Sequence, residues 1–341
     1  MIDELKQRPW LWRLPFLMVL IALSTFAIQR HKDGMDNATW QKSEGAVFGT
    51  FYHTTYQSNK NLQKEMDAAL DSVNNSLSMF NSESTLSHLN RNEDMHSDAM
   101  FDQVFRLAQR VSEATDGAFD VTVAPLVNAW GFGFKNGTRP DSAQVDSLKN
   151  LVGWKRVKLS NGLVEKDDPR MVLDFSAIAK GYGCDVVANV LRRHGVRNFM
   201  VEIGGEVVVE GHNTKEKPWS IGVNKPEDDT LNVNNELEDI LHLTNCAMAT
   251  SGNYRNFYVT EDGRKVAHTI DPHTGYPVQH SILSATVIAP TCAEADAFAT
   301  SFMVMGLEKA KKVLEKQPQL KVFFIYAEGT DYKVYRTIEE R

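Results

Sequence analysis

One stretch of the chain joins a buried strand to the start of a helix, and it reads Val172-Leu173-Asp174-Phe175-Ser176-Ala177-Ile178-Ala179-Lys180-Gly181-Tyr182. The apolar residues predict a strand that ends at Asp174, and small residues then lead into a helix near Lys180. A helix N-terminus presents backbone N–H groups that can bind an anion. The sequence therefore predicts an anion-binding junction between a strand and a helix.

Outward from this junction, helical and strand patterns mix without a regular βαβ order. The predicted helices are Asn61–Phe80, Met100–Ala114, Gly181–His194, Glu294–Met305 and Leu307–Lys316. The predicted hairpins are Lys155–Lys166, Asn256–Ile270 and Leu320–Thr337, and two further strands, Phe199–Ile203 and Val207–Glu210, flank Gly204-Gly205. This order predicts an α+β fold, with mixed or antiparallel sheets and packed helices. Residues 227–239 are acidic and predict an exposed insertion.

The composition limits the partners of the chain. It has 341 residues and a formal net charge of −7. Because nucleic-acid binding needs a basic surface, we expect no nucleic-acid partner. The three cysteines, Cys184, Cys246 and Cys292, form no CxxC pair, which disfavours a zinc ribbon or a dithiol redox motif. We interpret them as small buried hydrophobic residues.

Residues 1–32 have the layout of a targeting segment. Basic residues flank an apolar run of about 15 residues, Leu14 to Ile28. This pattern fits a secretory signal or a short signal-anchor, although a comfortable membrane span needs roughly 20 apolar residues. A buried core helix is the alternative. No cysteine precedes Cys184, which excludes lipoprotein anchoring. We expect export to the outer face of the cytoplasmic membrane or the periplasm, and a polar linker over residues 33–44.

Further segments complete a recognisable set of motifs. They are Gly49-Thr50, Ser84 to Asn90, Gly117 to Asp120, Pro125-Leu126, Trp130 to Phe132, Val201 to Glu206, Ser251 to Tyr254, His268 to Pro277 and Ala295 to Thr300. In number, order and spacing these segments resemble the FAD:protein FMN transferase family, formerly described as thiamine-biosynthesis lipoproteins. The resemblance implies that residues 45–341 form a single flavin-transferase catalytic domain.

Asp296 and Thr300 lie four residues apart on a predicted helix, so their oxygens share one face. A carboxylate and a hydroxyl suit Mg²⁺, which takes few protein ligands and keeps several waters. In isolation such a pair is more often solvated or caps a helix. The resemblance implies a divalent-metal site that includes Asp296, Thr300 and the backbone carbonyl of Ala177.

The resemblance also implies which residues contact FAD. They are Phe48, Phe80, Ala118, Phe119, Asp120, Asp174, Lys180 and Ile270. Judged on the residues alone, Lys180 could hold a phosphate as a point charge or be a surface lysine. Asp174 could cap a helix, and residues 117–120 could form a turn with a core phenylalanine. Two positions depart from the family pattern, since Phe80 stands where a tyrosine is common and Phe48 where a methionine is.

His268 lies in a predicted strand that ends near Asp271. A lone histidine is more often structural, but a histidine side chain titrates near neutral pH, as a general base requires. The resemblance implies that His268 takes the proton from the acceptor hydroxyl.

The implied activity is metal-dependent transfer of FMN from FAD to a threonine or serine hydroxyl of an exported target flavoprotein, with release of AMP. FAD is then a substrate and Mg²⁺ the cofactor, and the partners are the acceptor flavoprotein and, through residues 1–32, the membrane. Such phosphoryl-type reactions rest mainly on positioning and on charge neutralisation by metal. Two alternatives stay open: an Mg²⁺-dependent FAD pyrophosphatase that yields FMN and AMP, and a non-catalytic FAD carrier.

Overall fold

An eight-stranded antiparallel sheet organises the computed structural model, which describes residues 17–21, 24–25, 38–133, 139–226, 237–252, 257–259, 265–279, 281–329 and 331–338. The strands are β1 (Trp40–Val47), β2 (Thr50–Gln57), β3 (Val157–Ser160), β4 (Leu163–Lys166), β5 (Phe199–Ile203), β6 (Glu206–Glu210), β7 (Trp219–Asn224), β8 (Leu237–Leu243), β9 (Cys246–Gly252), β10 (Phe257–Val259), β11 (Lys265–Ala267), β12 (Ile282–Ala289), β13 (Lys321–Glu328) and β14 (Asp331–Arg336). The large sheet has the order β1-β2-β5-β6-β9-β12-β13-β14, and each neighbouring pair is antiparallel. The pairs β3–β4, β7–β8 and β10–β11 form separate hairpins.

Helices pack against this sheet and fill the connections between its strands. They are α1 (Gln63–Leu77), α2 (Thr85–Arg91), α3 (Ala99–Ala114), α4 (Ala124–Ala129), α5 (Ser142–Lys149), α6 (Ala179–Arg193), α7 (Cys292–Met305) and α8 (Leu307–Leu314), with a 3₁₀ turn at Trp154–Arg156. Antiparallel sheet strands combined with these helices confirm the predicted α+β class.

Helix α7 is the central helix of the core. It is apolar on nearly all sides, as a fully buried helix must be, and it lies against β9 and β12. Its Phe302 ring packs edge-on against Phe324 of β13, with the ring centroids 5.4 Å apart. Helix α6 crosses α7 and rests on β5 and β6. The other face of the sheet is covered by the β7–β8 hairpin, which brings Trp219 and Leu241 against it.

The structure shifts several predicted boundaries. Strand β1 begins at Trp40, so residues 40–44, which the sequence places in the linker, lie in a strand. Helix α1 ends at Leu77, so Phe80 lies beyond it. Residues 237–239, which the sequence places in the acidic insertion, belong to β8. Residues 227–236 of that insertion lie outside the described residues.

Most of the predicted signal or signal-anchor segment lies outside the described residues. Residues 17–21 and 24–25 are helical. Among the residues that the structure describes, no helix has the length and apolar character needed to cross a membrane.

Candidate functional site

The crossing of α6 and α7 brings the predicted strand–helix junction to Asp296. The backbone N–H of Gly181, in the first turn of α6, donates a hydrogen bond of 3.0 Å to Asp296 Oδ2. This close approach needs glycine, because a Cβ at residue 181 would lie 2.3 Å from the carbonyl oxygen of Cys292. A helix N-terminus therefore faces a carboxylate that is only 3% exposed.

Lys180 lies between two buried carboxylates. Its Nζ is 2.8 Å from Glu206 Oε1 and 4.0 Å from Asp296 Oδ1. Glu206 is the first residue of β6 and follows the Gly204-Gly205 turn, where Gly204 has a φ of +60° and approaches the Lys180 side chain. The sequence motif Val201 to Glu206 pointed to this turn but gave no role to Glu206.

Burial and mutual charge set the ionisation of this cluster. Burial raises the pKa of Glu206 to about 7, against the lowering effect of the Lys180 charge. Burial alone would lower the pKa of Lys180, but the negative charges of Asp296 and Glu206 outweigh it and raise the pKa. Lys180 is therefore charged at neutral pH and is paired with Glu206, and its contact with FAD stays a prediction.

Two of the predicted metal ligands, Asp296 and Thr300, share α7, and the third, Ala177, precedes α6. Thr300 is one turn after Asp296 on α7, and its Oγ1 is 3.2 Å from Ser251 Oγ of β9. Ala177 is two residues before α6, on the turn that leads to Gly181. Within the described ranges, no three His, Cys, Asp or Glu side chains are grouped to hold a metal. The expected set of one carboxylate, one hydroxyl and one carbonyl is a different, all-oxygen set, and it fits Mg²⁺.

Asp174 shapes the turn before α6. Its Oδ1 accepts hydrogen bonds from the backbone N–H and the hydroxyl of Ser176, at 2.7 and 2.5 Å. Burial raises its pKa. The strand predicted to end at Asp174 is not formed, because residues 171–175 belong to no strand. Instead, the Asn90 side chain of α2 bonds both backbone groups of Leu173, at 2.8 and 2.9 Å. The Ser84-to-Asn90 motif thus stabilises the segment before this turn through Asn90.

The 117–120 loop follows α3, and its side chains are largely structural. The Asp120 carboxylate accepts hydrogen bonds from Thr122 Oγ1 at 2.6 Å and from the Trp154 backbone N–H at 3.0 Å, and burial raises its pKa. The Phe119 side chain belongs to the main core, and Ala118 is buried. Contacts of these residues with FAD, as the resemblance implies, would therefore fall mainly on the backbone.

His268 and Ile270 follow β11 in the chain. The His268 ring lies edge-on to Phe132, with the ring centroids 6.3 Å apart. Ile270 packs in a small apolar cluster with Leu126 and Trp130, so its side chain is part of the core. The Trp130 indole N–H donates to the Gly275 carbonyl at 2.8 Å and fixes the 271–277 turn.

Phe48 and Phe80 lie in different environments. Phe48 has a φ of +50° in the β1–β2 turn, and its ring packs where a Cβ on Gly183 of α6 would sit. Its ring therefore supports α6, the helix that carries Lys180. The Phe80 side chain is 72% exposed, so a flat ligand could stack on it.

Gly181→Ala is expected to destabilise the fold by about 2 kcal/mol, because overpacking against a backbone atom outweighs the helix propensity gained from alanine. Urea unfolding of the globular part measures this change. Gly49→Ala is the control, since its added Cβ meets no atom within 4 Å and only its positive φ opposes it. A Gly181→Ala variant as stable as the wild type would contradict the crowding at the helix crossing.

Asp185 of α6 forms a second polar contact between α6 and α7. Its carboxylate accepts hydrogen bonds from the backbone N–H groups of Cys292 at 2.8 Å and Ala293 at 2.9 Å, at the N-terminus of α7. Burial raises its pKa from 3.8 to about 6. The folded protein therefore holds this proton more tightly than the unfolded chain.

This shift predicts a pH-dependent stability. Since the folded pKa is the higher one, the wild type should lose stability as the pH rises from about 4 to about 6. Asp185→Asn removes this titration, so the wild type should lose up to about 2 kcal/mol relative to the variant over that interval, part of the side chain facing solvent. Urea unfolding of both proteins at pH 4 and pH 7 measures the difference. A gap that is the same at both pH values would contradict the prediction.

Comparisons with known proteins identify relatives that match most of the chain in sequence and in fold. A sequence model of the ApbE family matches residues 48–324. The curated FAD:protein FMN transferase of Vibrio cholerae serotype O1 is 36% identical over 341 residues, 96% of each chain. That of Haemophilus influenzae is 36% identical over 326 residues, 91% of each chain. The solved structure of the flavin transferase ApbE from Vibrio cholerae superposes with a TM-score of 0.78 at 34% identity, covering 88% of this chain and 97% of that one. These findings confirm the resemblance drawn from the motifs, and the chain belongs to the ApbE family.

Proposed function

We propose that this chain is an enzyme that transfers FMN from FAD to a threonine or serine hydroxyl of a target flavoprotein and releases AMP. The names of its relatives support the flavin-transfer part of this proposal. The observation that carries it in this chain is the charged cluster of Lys180, Glu206 and Asp296 at the start of α6. The Lys180 cation supports binding of an anionic pyrophosphate here, and the Asp296 carboxylate supports binding of a divalent cation that would offset the charge of that anion.

The reaction balances as a substitution at phosphorus. The acceptor hydroxyl oxygen forms a bond to the FMN phosphorus of FAD, the bond from that phosphorus to the bridging oxygen breaks, and AMP leaves with the bridging oxygen. His268 takes the hydroxyl proton, and the Lys180 ammonium offsets negative charge on the pyrophosphate. The chain's own groups thus supply positioning and proton transfer.

The oxygen set around the helix crossing fits a divalent cation. Asp296 Oδ1, the Thr300 hydroxyl and the Ala177 carbonyl would hold it. When bound, Mg²⁺ would supply neutralisation of charge on the pyrophosphate oxygens. Gly181 contributes by fixing Asp296 Oδ2 through its N–H, so that the orientation of the carboxylate is set before any cation binds.

The activity is tested by incubating the globular part with FAD and Mg²⁺, with and without a candidate acceptor flavoprotein. AMP, free FMN and fluorescence of the acceptor band on a denaturing gel are followed. A fluorescent acceptor band supports transfer. Free FMN and AMP without a labelled acceptor would identify a pyrophosphatase instead, and unchanged FAD would identify a carrier.

For localisation, we propose export with the globular part outside the cytoplasmic membrane and residues 1–32 as its signal or anchor. The apolar run Leu14 to Ile28 with basic flanks supports this. Fractionation of cells that produce the full chain tests it. Recovery of the protein in the cytosol alone would overturn it.

A further inference from the structure

The Lys180 ammonium is divided unequally between its two carboxylate neighbours. Its distance of 2.8 Å from Glu206 Oε1 is that of a direct charge-assisted hydrogen bond, whereas 4.0 Å from Asp296 Oδ1 is not. The other Asp296 oxygen, Oδ2, is engaged by the Gly181 N–H. Glu206 therefore holds the lysine, and Asp296 Oδ1 has no such close contact with it.

We propose that Glu206 is a positioning residue that holds the Lys180 ammonium away from Asp296 Oδ1 and so keeps this oxygen open to a cation. The inference rests on the metal site in the proposed function. It gives Glu206, to which the sequence assigned no role, a defined effect on metal affinity rather than on flavin contact.

The Lys180 ammonium and a metal cation would compete for Asp296 Oδ1, and the distances show that the ammonium is close enough to do so. A shift of about 1 Å would bring the ammonium from 4.0 Å to hydrogen-bond distance of Asp296 Oδ1. Asp296 is 3% exposed, and an ion pair screened so little by water would compete well with a hydrated cation. The pull of Glu206 on the lysine opposes that shift.

A second observation is that one oxygen of the Glu206 carboxylate lacks a hydrogen-bond partner. Its side chain is 5% exposed, and its Oε2 is buried without a hydrogen-bond partner in the protein. A buried polar atom of this kind is costly unless something satisfies it. A water bound to a cation at Asp296 is a donor of the right chemistry for Oε2, so the unpartnered oxygen and the open Asp296 oxygen point to the same occupant.

The test is a double-mutant cycle read as Mn²⁺ affinity, by calorimetry or electron paramagnetic resonance, without FAD. The four proteins are the wild type, Glu206→Gln, Lys180→Met and the double variant. Glu206→Gln should weaken Mn²⁺ binding about tenfold when Lys180 is present, since the freed lysine then pairs with Asp296. In the Lys180→Met background the same change should cost no more than about threefold, from the lost charge alone.

The outcomes separate this inference from the metal site itself. An equal loss in both backgrounds would show that Glu206 acts only through its charge and would overturn the inference while leaving the metal site standing. Absence of Mn²⁺ binding by the wild type would overturn both. Thermal unfolding confirms that each variant folds. If Glu206→Gln does not fold, Glu206→Met removes the carboxylate at similar length. Its loss of Mn²⁺ affinity is then compared in the wild-type and Lys180→Met backgrounds in the same way.

Discussion

Asp296→Ala is expected to lower FMN transfer at least about a thousandfold at any practical Mg²⁺ concentration. The change removes the carboxylate expected on the cation, and a bound metal contributes several kcal/mol to charge stabilisation in such reactions. It also removes the acceptor of the Gly181 N–H, so the start of α6 loses its fixed contact with α7. Initial rates of acceptor labelling over a range of Mg²⁺ concentrations measure the effect.

Asp296→Asn is the matched control for the structural part of this loss. Asparagine has the same size and can still accept the Gly181 hydrogen bond, but it brings no charge to a cation. We expect it to keep the stability of the wild type to within about 1 kcal/mol and to lose nearly as much activity as alanine. Full activity in either variant would show that the metal site lies elsewhere.

His268→Ala is expected to slow transfer by about 10²- to 10⁴-fold, the usual contribution of a general base. FAD binding should change little, because the proposed role concerns the acceptor proton. Single-turnover labelling at saturating FAD measures the chemical step, and quenching of flavin fluorescence measures binding. Partial recovery of the rate with added imidazole would support proton transfer as the lost function.

His242→Ala is the control for this variant. His242 lies on β8, where its Nδ1 is 3.1 Å from Ser220 Oγ, and the proposed chemistry gives it no role. Its replacement should leave the rate within about twofold of the wild type, as is usual for surface substitutions. If His268→Ala also transfers FMN within about twofold of the wild-type rate, His268 is not the general base.

The sequence predicted the elements whose apolar residues repeat at a clear period. Helix α3 is predicted over Met100–Ala114 and observed from Ala99, because its apolar stripe is unbroken and Asp98 caps it. Strand β1 was not predicted, and the sequence assigned residues 40–44 to the linker. Its first five residues, Trp-Gln-Lys-Ser-Glu, follow no simple alternation and belong to an edge strand, which pairs on one side only.

The roles of individual polar groups were harder to predict, because they depend on partners far apart in the chain. Asp120 is predicted to contact FAD, and the sequence did not show that its carboxylate binds the backbone of Trp154, 34 residues later. Lys180 is predicted to contact FAD, and the sequence did not show that its side chain pairs with Glu206 at the start of β6. The local sequence pattern can indicate where a functional polar residue lies, but its hydrogen-bond partners depend on segments that only the folded chain brings together.

The contact between Gly181 and Asp296 joins segments separated by 115 residues. A polypeptide made and translocated from its N-terminus presents Lys180 long before Asp296 exists beside it, and pairing across such a separation is late and slow. Partially synthesised chains therefore lack the complete constellation. If the chain crosses a membrane unfolded, the cellular flavin pool is not exposed to its chemistry until nearly the entire polypeptide has arrived and folded.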